Sequence, residues 1–142
     1  MLTHDTKIRV CYGDTDKMGV VYYGIYPRYY EIARTEMIRD LWKSYASIEA
    51  DGVLLPARSL NIEYFKPAAY DDLLTVRTII REIPGVKFVL ETEIYNENEE
   101  LINRGKVVLV FTDASSGKPR RIPNELLEII LEKWADKAMN LD

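Results

Sequence analysis

Asp14 and Asp16 lie two residues apart in a glycine-flanked stretch that runs into a tyrosine-rich segment containing Pro27. Pro27 suits the first turn of a helix, where its missing N–H is not needed. A carboxylate can act as a general base or as a nucleophile, and the free N–H groups of a first helical turn can stabilise an oxyanion. The stretch is therefore compatible with a hydrolytic site. The residues alone nevertheless favour a loop or capping role for Asp16, and for Asp14 a role in accepting backbone N–H groups within the turn.

The chain contains one histidine, His4, and one cysteine, Cys11. A Ser-His-Asp triad, a Cys-His pair or a multi-histidine zinc site would depend on His4, which we expect to lie in a frayed, solvated N-terminus. Cys11 is expected to be a small strand residue without chemistry. An enzyme built from this sequence is therefore expected to use a carboxylate as its base and to need no metal.

The composition predicts a single domain spanning residues 1–142. The formal charge is 19 − 23 = −4, and hydrophobic residues make up 47% of the chain, which suffices for a core at this length. The mild acidity argues against a general nucleic-acid binder, and no apolar run approaches the ~18 residues that a membrane span needs. The N-terminus lacks signal-peptide character, and one cysteine permits no intrachain disulfide. We therefore predict a cytoplasmic protein with no nucleic-acid or membrane partner.

Hydrophobic periodicity predicts the element order β-α-β-β-β-β-α, because alternation indicates strands and helical spacing indicates helices. The predicted strands span residues 6–12, 54–65, 73–83, 86–95 and 101–112. The first helix begins at Pro27, and its apolar positions continue to Tyr45; the last helix spans residues 123–139. Short links between the last four strands require antiparallel pairing, and Gly105 is expected at a bend or bulge. This is an α+β fold, and we expect a curved sheet to wrap round the broad apolar stripe of the first helix.

Several segments in order along nearly the whole chain carry a family resemblance. They are Asp14-Thr15-Asp16, Gly19-Val20-Val21-Tyr22, Ala33-Arg34-Thr35-Glu36, and the stretches 62–68, 70–76 and 117–123. Together they resemble the hotdog-fold acyl-CoA thioesterases of the 4-hydroxybenzoyl-CoA thioesterase family. The resemblance implies the hotdog fold, a strongly curved antiparallel sheet wrapped round one long central helix, to which the periodicity adds the C-terminal helix. It also implies a homodimer or homotetramer whose active sites lie at the subunit interface.

The resemblance assigns roles to individual residues. The catalytic carboxylate falls on Asp16, and the backbone N–H that polarises the thioester carbonyl falls on Tyr23, with Gly24 next to it. Tyr12 is a candidate for substrate contact, although it could instead pack under the loop. Many bacterial members have histidine at the position of Tyr23. A tyrosine, with an unperturbed pKa of about 10, cannot shuttle protons near neutral pH as a histidine can, so the backbone role is the one that carries over.

Arg120 and Arg121 are the preferred pair for contacting the phosphates of coenzyme A, because they are adjacent and follow a Gly-Lys-Pro turn. The alternative is that they are solvated surface charges. The implied function is hydrolysis of an acyl- or aroyl-CoA thioester without a cofactor, with Asp16 as nucleophile or general base. An acyl carrier protein thioesterase and a non-catalytic module that binds acyl thioesters remain alternatives. A hotdog dehydratase is disfavoured, because such enzymes rely on an active-site histidine.

Overall fold

The computed structural model describes residues 1–139. The helices are α1 (Tyr26–Leu41), α2 (Tyr45–Ala50) and α3 (Asn124–Met139). The strands are β1 (Leu2–Arg9), β2 (Val53–Leu54), β3 (Ala57–Tyr64), β4 (Leu73–Ile80), β5 (Lys87–Tyr95), β6 (Leu101–Val110) and β7 (Thr112–Asp113). None of these helices is long and apolar enough to cross a membrane.

Five strands form one antiparallel sheet in the order β1-β4-β5-β6-β3. Alternate residues of β4, β5 and β6 are buried, as the periodicity predicts, whereas β3 has no buried residue. Helix α1 packs against β1 and β4. The core has two parts. One lies around Met37 and Ile38 near the end of α1, where α3 closes the sheet, and the other lies around Tyr29, Tyr30 and Ala33 near its start. The predicted α+β architecture is confirmed, and it leaves β3 as an open edge of the sheet.

The N-terminus is ordered, so its predicted fraying is wrong. Strand β1 begins at Leu2, which pairs with Ile80 of β4. His4 lies within this strand, and its Nε2 is 2.7 Å from Oδ2 of Asp40 on α1. The predicted strand also extended too far at its other end, because residues 12–14 form a 3-10 turn. The start of β1 has a weak apolar pattern, because Leu2 is its one buried residue and mostly polar residues follow it. Periodicity therefore does not show that the strand begins so early.

Two elements are shorter than their predicted counterparts. The apolar stripe of α1 continues beyond its end at Leu41, and a separate helix, α2, begins after Ser44, whose side chain accepts a hydrogen bond from the Ser47 N–H. The predicted strand 54–65 is interrupted at Pro56, so that β2 pairs with β7 while β3 pairs with β6. Apolar periodicity does not detect such breaks, because apolar residues continue on both sides of them. Leu41 and Tyr45 both pack against the core, and Leu55 and Leu60 lie on either side of Pro56, although Leu60 is 41% exposed.

Gly105 lies in a regular part of β6, so the predicted bend or bulge at this position is wrong. It pairs with Ile62 on one side and Thr92 on the other, and the register shifts lie elsewhere. The residue is needed for a close approach, because a Cβ at position 105 would lie 2.2 Å from Cε2 of Tyr30. Tyr30 is only 1% exposed and donates its hydroxyl to the buried Asn103. The glycine therefore allows the Tyr30 ring of α1 to pack directly against the backbone of β6.

Replacing Gly105 with alanine tests this packing. The new methyl group would overlap the Tyr30 ring, which is buried and cannot move into solvent. We expect Gly105→Ala to lower the free energy of unfolding by about 3 kcal/mol in urea titrations. Gly85→Ala is the matched control, because the only neighbour of its added Cβ is an arginine side-chain atom at 3.8 Å. Equal stability of the two variants would contradict the packing argument.

Candidate active site

The loop between β1 and α1 folds into a closed turn around Asp16. The Asp16 N–H donates to the Val20 carbonyl at 3.0 Å, and the Gly19 N–H donates to the Asp16 carbonyl at 3.0 Å. Gly19 has a φ of +79°, a left-handed conformation that glycine adopts without steric cost. Thr15 and Val21 close the base of the turn as an antiparallel bridge. Asp16 is therefore held at a fixed position by backbone bonds on both sides.

Asp16 is half-buried, and only one of its two carboxylate oxygens accepts a hydrogen bond from the described residues. Its Oδ1 accepts the N–H of Met18 at 2.8 Å. Within residues 1–139, Oδ2 has no hydrogen-bond partner. One oxygen thus orients the group, while the other is available to attack a carbonyl carbon or to accept a proton from water.

Asp14 attaches this loop to α1. The residue is 8% exposed, and its Oδ2 accepts the Tyr29 hydroxyl at 2.8 Å and the Cys11 N–H at 3.1 Å. Its backbone carbonyl accepts the Tyr22 N–H at 2.9 Å. Burial, and then the bond to Asp14, raise the pKa of Tyr29 above its ordinary value, so its hydroxyl remains a donor. Asp14 therefore accepts a backbone N–H in the turn, as expected from the sequence, and it also anchors the turn to the helix.

Asp16 borders a cleft of about 330 Å³ that lies between the loop, the start of α1 and the end of β3. The other lining residues are Met18, Val20, Val21, Tyr23, Tyr26, Tyr64, Phe65, Lys66 and Pro67. A larger cleft, of about 610 Å³, lies on the opposite face of β1 and β4, where Asp5 and Arg77 already neutralise each other at 2.8 Å. The cleft at Asp16 combines apolar walls with a carboxylate, which is the usual composition of a small-molecule site.

Unused backbone donors lie at the start of the helix beside this cleft. Among the described residues, the N–H groups of Tyr23 and Gly24 donate no hydrogen bond. The preceding carbonyl, that of Tyr22, accepts the Ile25 N–H at 2.9 Å. A Cβ at position 24 would lie 2.6 Å from the Tyr22 ring, so glycine lets that ring approach the backbone here. Free N–H groups next to a carboxylate match the requirements of an oxyanion site.

Tyr12 lies outside the cleft. Its side chain is 78% exposed and contacts Tyr70 edge to face, with ring centroids 5.3 Å apart. The alternative that it packs under the loop is therefore wrong. A contact between Tyr12 and substrate stays a prediction, because it would require a substrate that extends beyond the cleft.

Arg120 and Arg121 lie at the other end of the sheet from Asp16. The Arg120 N–H donates to the carbonyl of Phe111, just after β6 ends. The cleft at Asp16 instead borders Lys66, whose ammonium pairs with Glu100, just before β6 begins. Because β6 has ten residues, the two ends are about 33 Å apart. The two arginines and Asp16 are therefore not brought together within one chain.

Three residues of the cleft were not identified as a group from the sequence: Tyr26, Tyr64 and Phe65. Tyr26 was placed near a helix start and Tyr64 on a strand, but periodicity does not show that these elements meet. The available signal was the aromatic pair Tyr64-Phe65 at a strand end, directly before a Lys-Pro break. Such a pair is half-exposed here, at 49% and 47%, and large exposed rings are typical of binding surfaces.

Comparison with known proteins gives consistent matches over most of the chain. The model of the thioesterase-like superfamily matches residues 10–130. The acyl-CoA thioester hydrolase YbgC of Escherichia coli O6:H1 is 38% identical over 120 residues, covering 84% of this chain and 90% of that protein. The putative acyl-CoA thioesterase YneP of Bacillus subtilis is 38% identical over 113 residues, covering 80% and 82%. The DHNA-CoA thioesterase structure from Staphylococcus aureus superposes with a TM-score of 0.90 at 31% identity, covering 99% and 96%.

Removing the Tyr29 hydroxyl tests the anchor between loop and helix. Tyr29→Phe leaves the buried Asp14 carboxylate with one donor fewer, which should lower the free energy of unfolding by about 1–2 kcal/mol. Tyr95→Phe is the matched control, since it also removes one hydroxyl bond, to the Glu93 carboxylate, but at a half-exposed site on the sheet. The comparison is made by urea unfolding. If Tyr29→Phe costs no more than the control, Asp14 does not anchor the loop in this way.

Proposed function

The chain belongs to the thioesterase-like superfamily and is an acyl-CoA thioester hydrolase of the hotdog fold, and we propose that Asp16 supplies the carboxylate for that hydrolysis. The observation that carries the proposal is the half-buried Asp16 side chain, with one oxygen held by the Met18 N–H and the other without a hydrogen-bond partner within residues 1–139. It shares a cleft with Tyr23 at the start of the helix. This combination supplies both a reactive oxygen and donors for the charge that hydrolysis creates.

The thioester carbonyl would lie between these two features. Its carbon faces Oδ2 of Asp16, and its oxygen accepts the N–H groups of Tyr23 and Gly24. The Asp16 carboxylate either attacks the carbon to give a mixed anhydride that water cleaves, or deprotonates a water that attacks directly. In both routes the C–S bond breaks, coenzyme A leaves as a thiol, and the carbonyl oxygen carries transient negative charge. Each well-aimed donor typically contributes ~100- to 1000-fold to the rate.

We also propose that two or four copies assemble through the edge strand β3. The helix-facing side chains Leu60 and Tyr64 of β3 are 41% and 49% exposed, although their neighbours on β6 are buried. An exposed apolar edge is a template for pairing with another strand. Antiparallel pairing about a two-fold axis would place the start of one β3 beside the end of the other. Because Val110, next to Phe111, bonds to Pro56 just before β3, this would bring the Arg120-Arg121 end of one copy toward the cleft of the other.

The substrate of this site is proposed to be a coenzyme A thioester in the cytoplasm. Arg120 and Arg121 would then contact its phosphates across the interface. An acyl carrier protein as the thioester donor would need a basic docking surface, and the net charge of −4 counts against it. A binding module without catalysis would hold acyl-CoA and release no thiol, an outcome that the following experiment detects.

Substituting Asp16 tests the catalytic assignment. Asp16→Asn keeps the size of the side chain but removes its basic, nucleophilic oxygen. We expect kcat for thiol release from a panel of acyl-CoAs to fall at least ~100-fold, with the fold retained. Asp51→Asn, which changes an exposed carboxylate at the end of α2, is the control and should keep wild-type activity. Equal turnover by both variants would show that Asp16 is structural, and saturable binding without turnover by the wild type would favour the binding module.

A charge on the edge strand tests the assembly. We expect the wild type to sediment as two or four chains and Leu60→Asp to sediment as one, because a carboxylate at this position would be buried between copies. Activity should fall together with the mass. Leu131→Asp on α3 changes a leucine of similar exposure, 45%, and should retain at least the dimer mass. A wild type that is active as a single chain would contradict the proposal.

A further inference from the structure

We propose that Tyr64 is a positioning residue of the oxyanion site, because its hydroxyl fixes the peptide group that carries the Gly24 N–H. This inference rests on the proposed function and concerns the same cleft. Tyr64 is the last residue of β3, and its hydroxyl donates to the Tyr23 carbonyl at 2.9 Å. The bond joins the edge of the sheet to the start of the helix, two elements that are far apart in sequence.

The Tyr64 hydroxyl is a donor to the Tyr23 carbonyl from outside the helix. Tyr23 begins a single 3-10 turn, Tyr23–Ile25, that precedes α1, and in such a turn a carbonyl faces the N–H three positions later. The α-helical partner, four positions later, would be Pro27, which has no N–H. Tyr64 therefore gives this carbonyl a donor that α1 itself cannot supply. Burial, and then the proximity of Tyr23, raise the pKa of Tyr64 above its ordinary value, so the hydroxyl is protonated and able to donate at neutral pH.

Fixing a carbonyl also fixes the N–H of the same peptide group. The peptide group is planar and trans, so its N–H points away from its C=O. The Tyr22 carbonyl is held by the Ile25 N–H at 2.9 Å, which sets the direction of the Tyr23 N–H. The Tyr23 carbonyl is held by Tyr64, which sets the direction of the Gly24 N–H. Two adjacent donors are thus aimed by two separate bonds, and within residues 1–139 neither donor is used.

The hydrogen bond also strengthens the donor that it aims. A hydrogen bond to a carbonyl polarises the peptide group, which makes its N–H a better donor to a second acceptor. The Tyr64 ring itself is held independently of its hydroxyl, since it contacts Tyr26 and Tyr23 edge to face, with centroids 5.5 and 6.5 Å away. Removing only the hydroxyl should therefore leave the ring and the wall of the cleft in place. The chemical effect should be confined to the Gly24 N–H.

Tyr64→Phe tests the proposal by its effect on rate. A mis-aimed donor loses part of its ~100- to 1000-fold contribution, so we expect kcat to fall about 10-fold while KM changes less than about twofold. The sedimenting mass and the melting temperature should stay close to those of the wild type. Tyr95→Phe, which removes a hydroxyl bond on the face of the sheet remote from the cleft, should leave both constants unchanged. An unchanged kcat in Tyr64→Phe would overturn the proposal.

A vibrational measurement separates positioning from simple packing. The probe is an acyl-CoA that the wild type hydrolyses, labelled with ¹³C at the thioester carbonyl and bound to Asp16→Asn. Donors at the carbonyl oxygen lower its stretching frequency. We expect the frequency to return toward that of free substrate when Tyr64→Phe is added to Asp16→Asn, and to stay low when Tyr95→Phe is added. An identical frequency in both double variants would overturn the proposal, even if kcat had fallen. Full turnover by Asp16→Asn would refute only the catalytic role of Asp16. The role of Tyr64 would still be tested by the kcat of Tyr64→Phe, because that variant keeps the native Asp16 carboxylate.

Discussion

The buried hydrogen bond from Tyr29 to Asp14 joins the two halves of the site. Asp14 lies in the loop that carries Asp16, and Tyr29 lies on the helix whose start carries the free N–H groups. A buried carboxylate without donors is costly, so the Tyr29 hydroxyl and the Cys11 N–H, together with the Arg28 guanidinium 4.0 Å away, stabilise the loop in this position. The position of the Asp16 carboxylate relative to the free N–H groups of Tyr23 and Gly24 therefore follows from the position of α1.

The position of α1 depends in turn on close packing against the sheet. Tyr30, one residue after the anchor, occupies the space left by Gly105 on β6. Toward the cleft, Tyr29 contacts Tyr26, and Tyr26 contacts Tyr64, with ring centroids 5.9 and 5.5 Å apart. This continuous row of rings connects the loop anchor to the edge strand. Rigid aromatic contacts of this kind hold the proposed catalytic groups in place before substrate arrives, as electrostatic preorganisation requires.

Much of this architecture could be predicted from the sequence, and the limits have physical causes. Alternation located the central strands because they bury one face, and the motif around Asp16 predicted the candidate site that the cleft and the free N–H groups now support. The sequence did not predict that β1 includes His4, because His4 is held by a polar contact with Asp40 on α1 and not by an apolar pattern. The close approach at Gly105 and the row of rings depend on how distant segments meet, which no local pattern encodes. The separation of Arg120 and Arg121 from Asp16 has the same origin, since residues at opposite ends of β6 can act together only if another copy brings them together.

The central claim is that Asp16 and the N–H groups of Tyr23 and Gly24 act on one thioester. The most direct test is a crystal structure of Asp16→Asn with an uncleaved acyl-CoA substrate. We expect the carbonyl oxygen to lie about 3 Å from these backbone nitrogens, and the carbonyl carbon to face the side chain at position 16. A carbonyl bound away from the start of the helix, with the substrate ordered, would contradict the account.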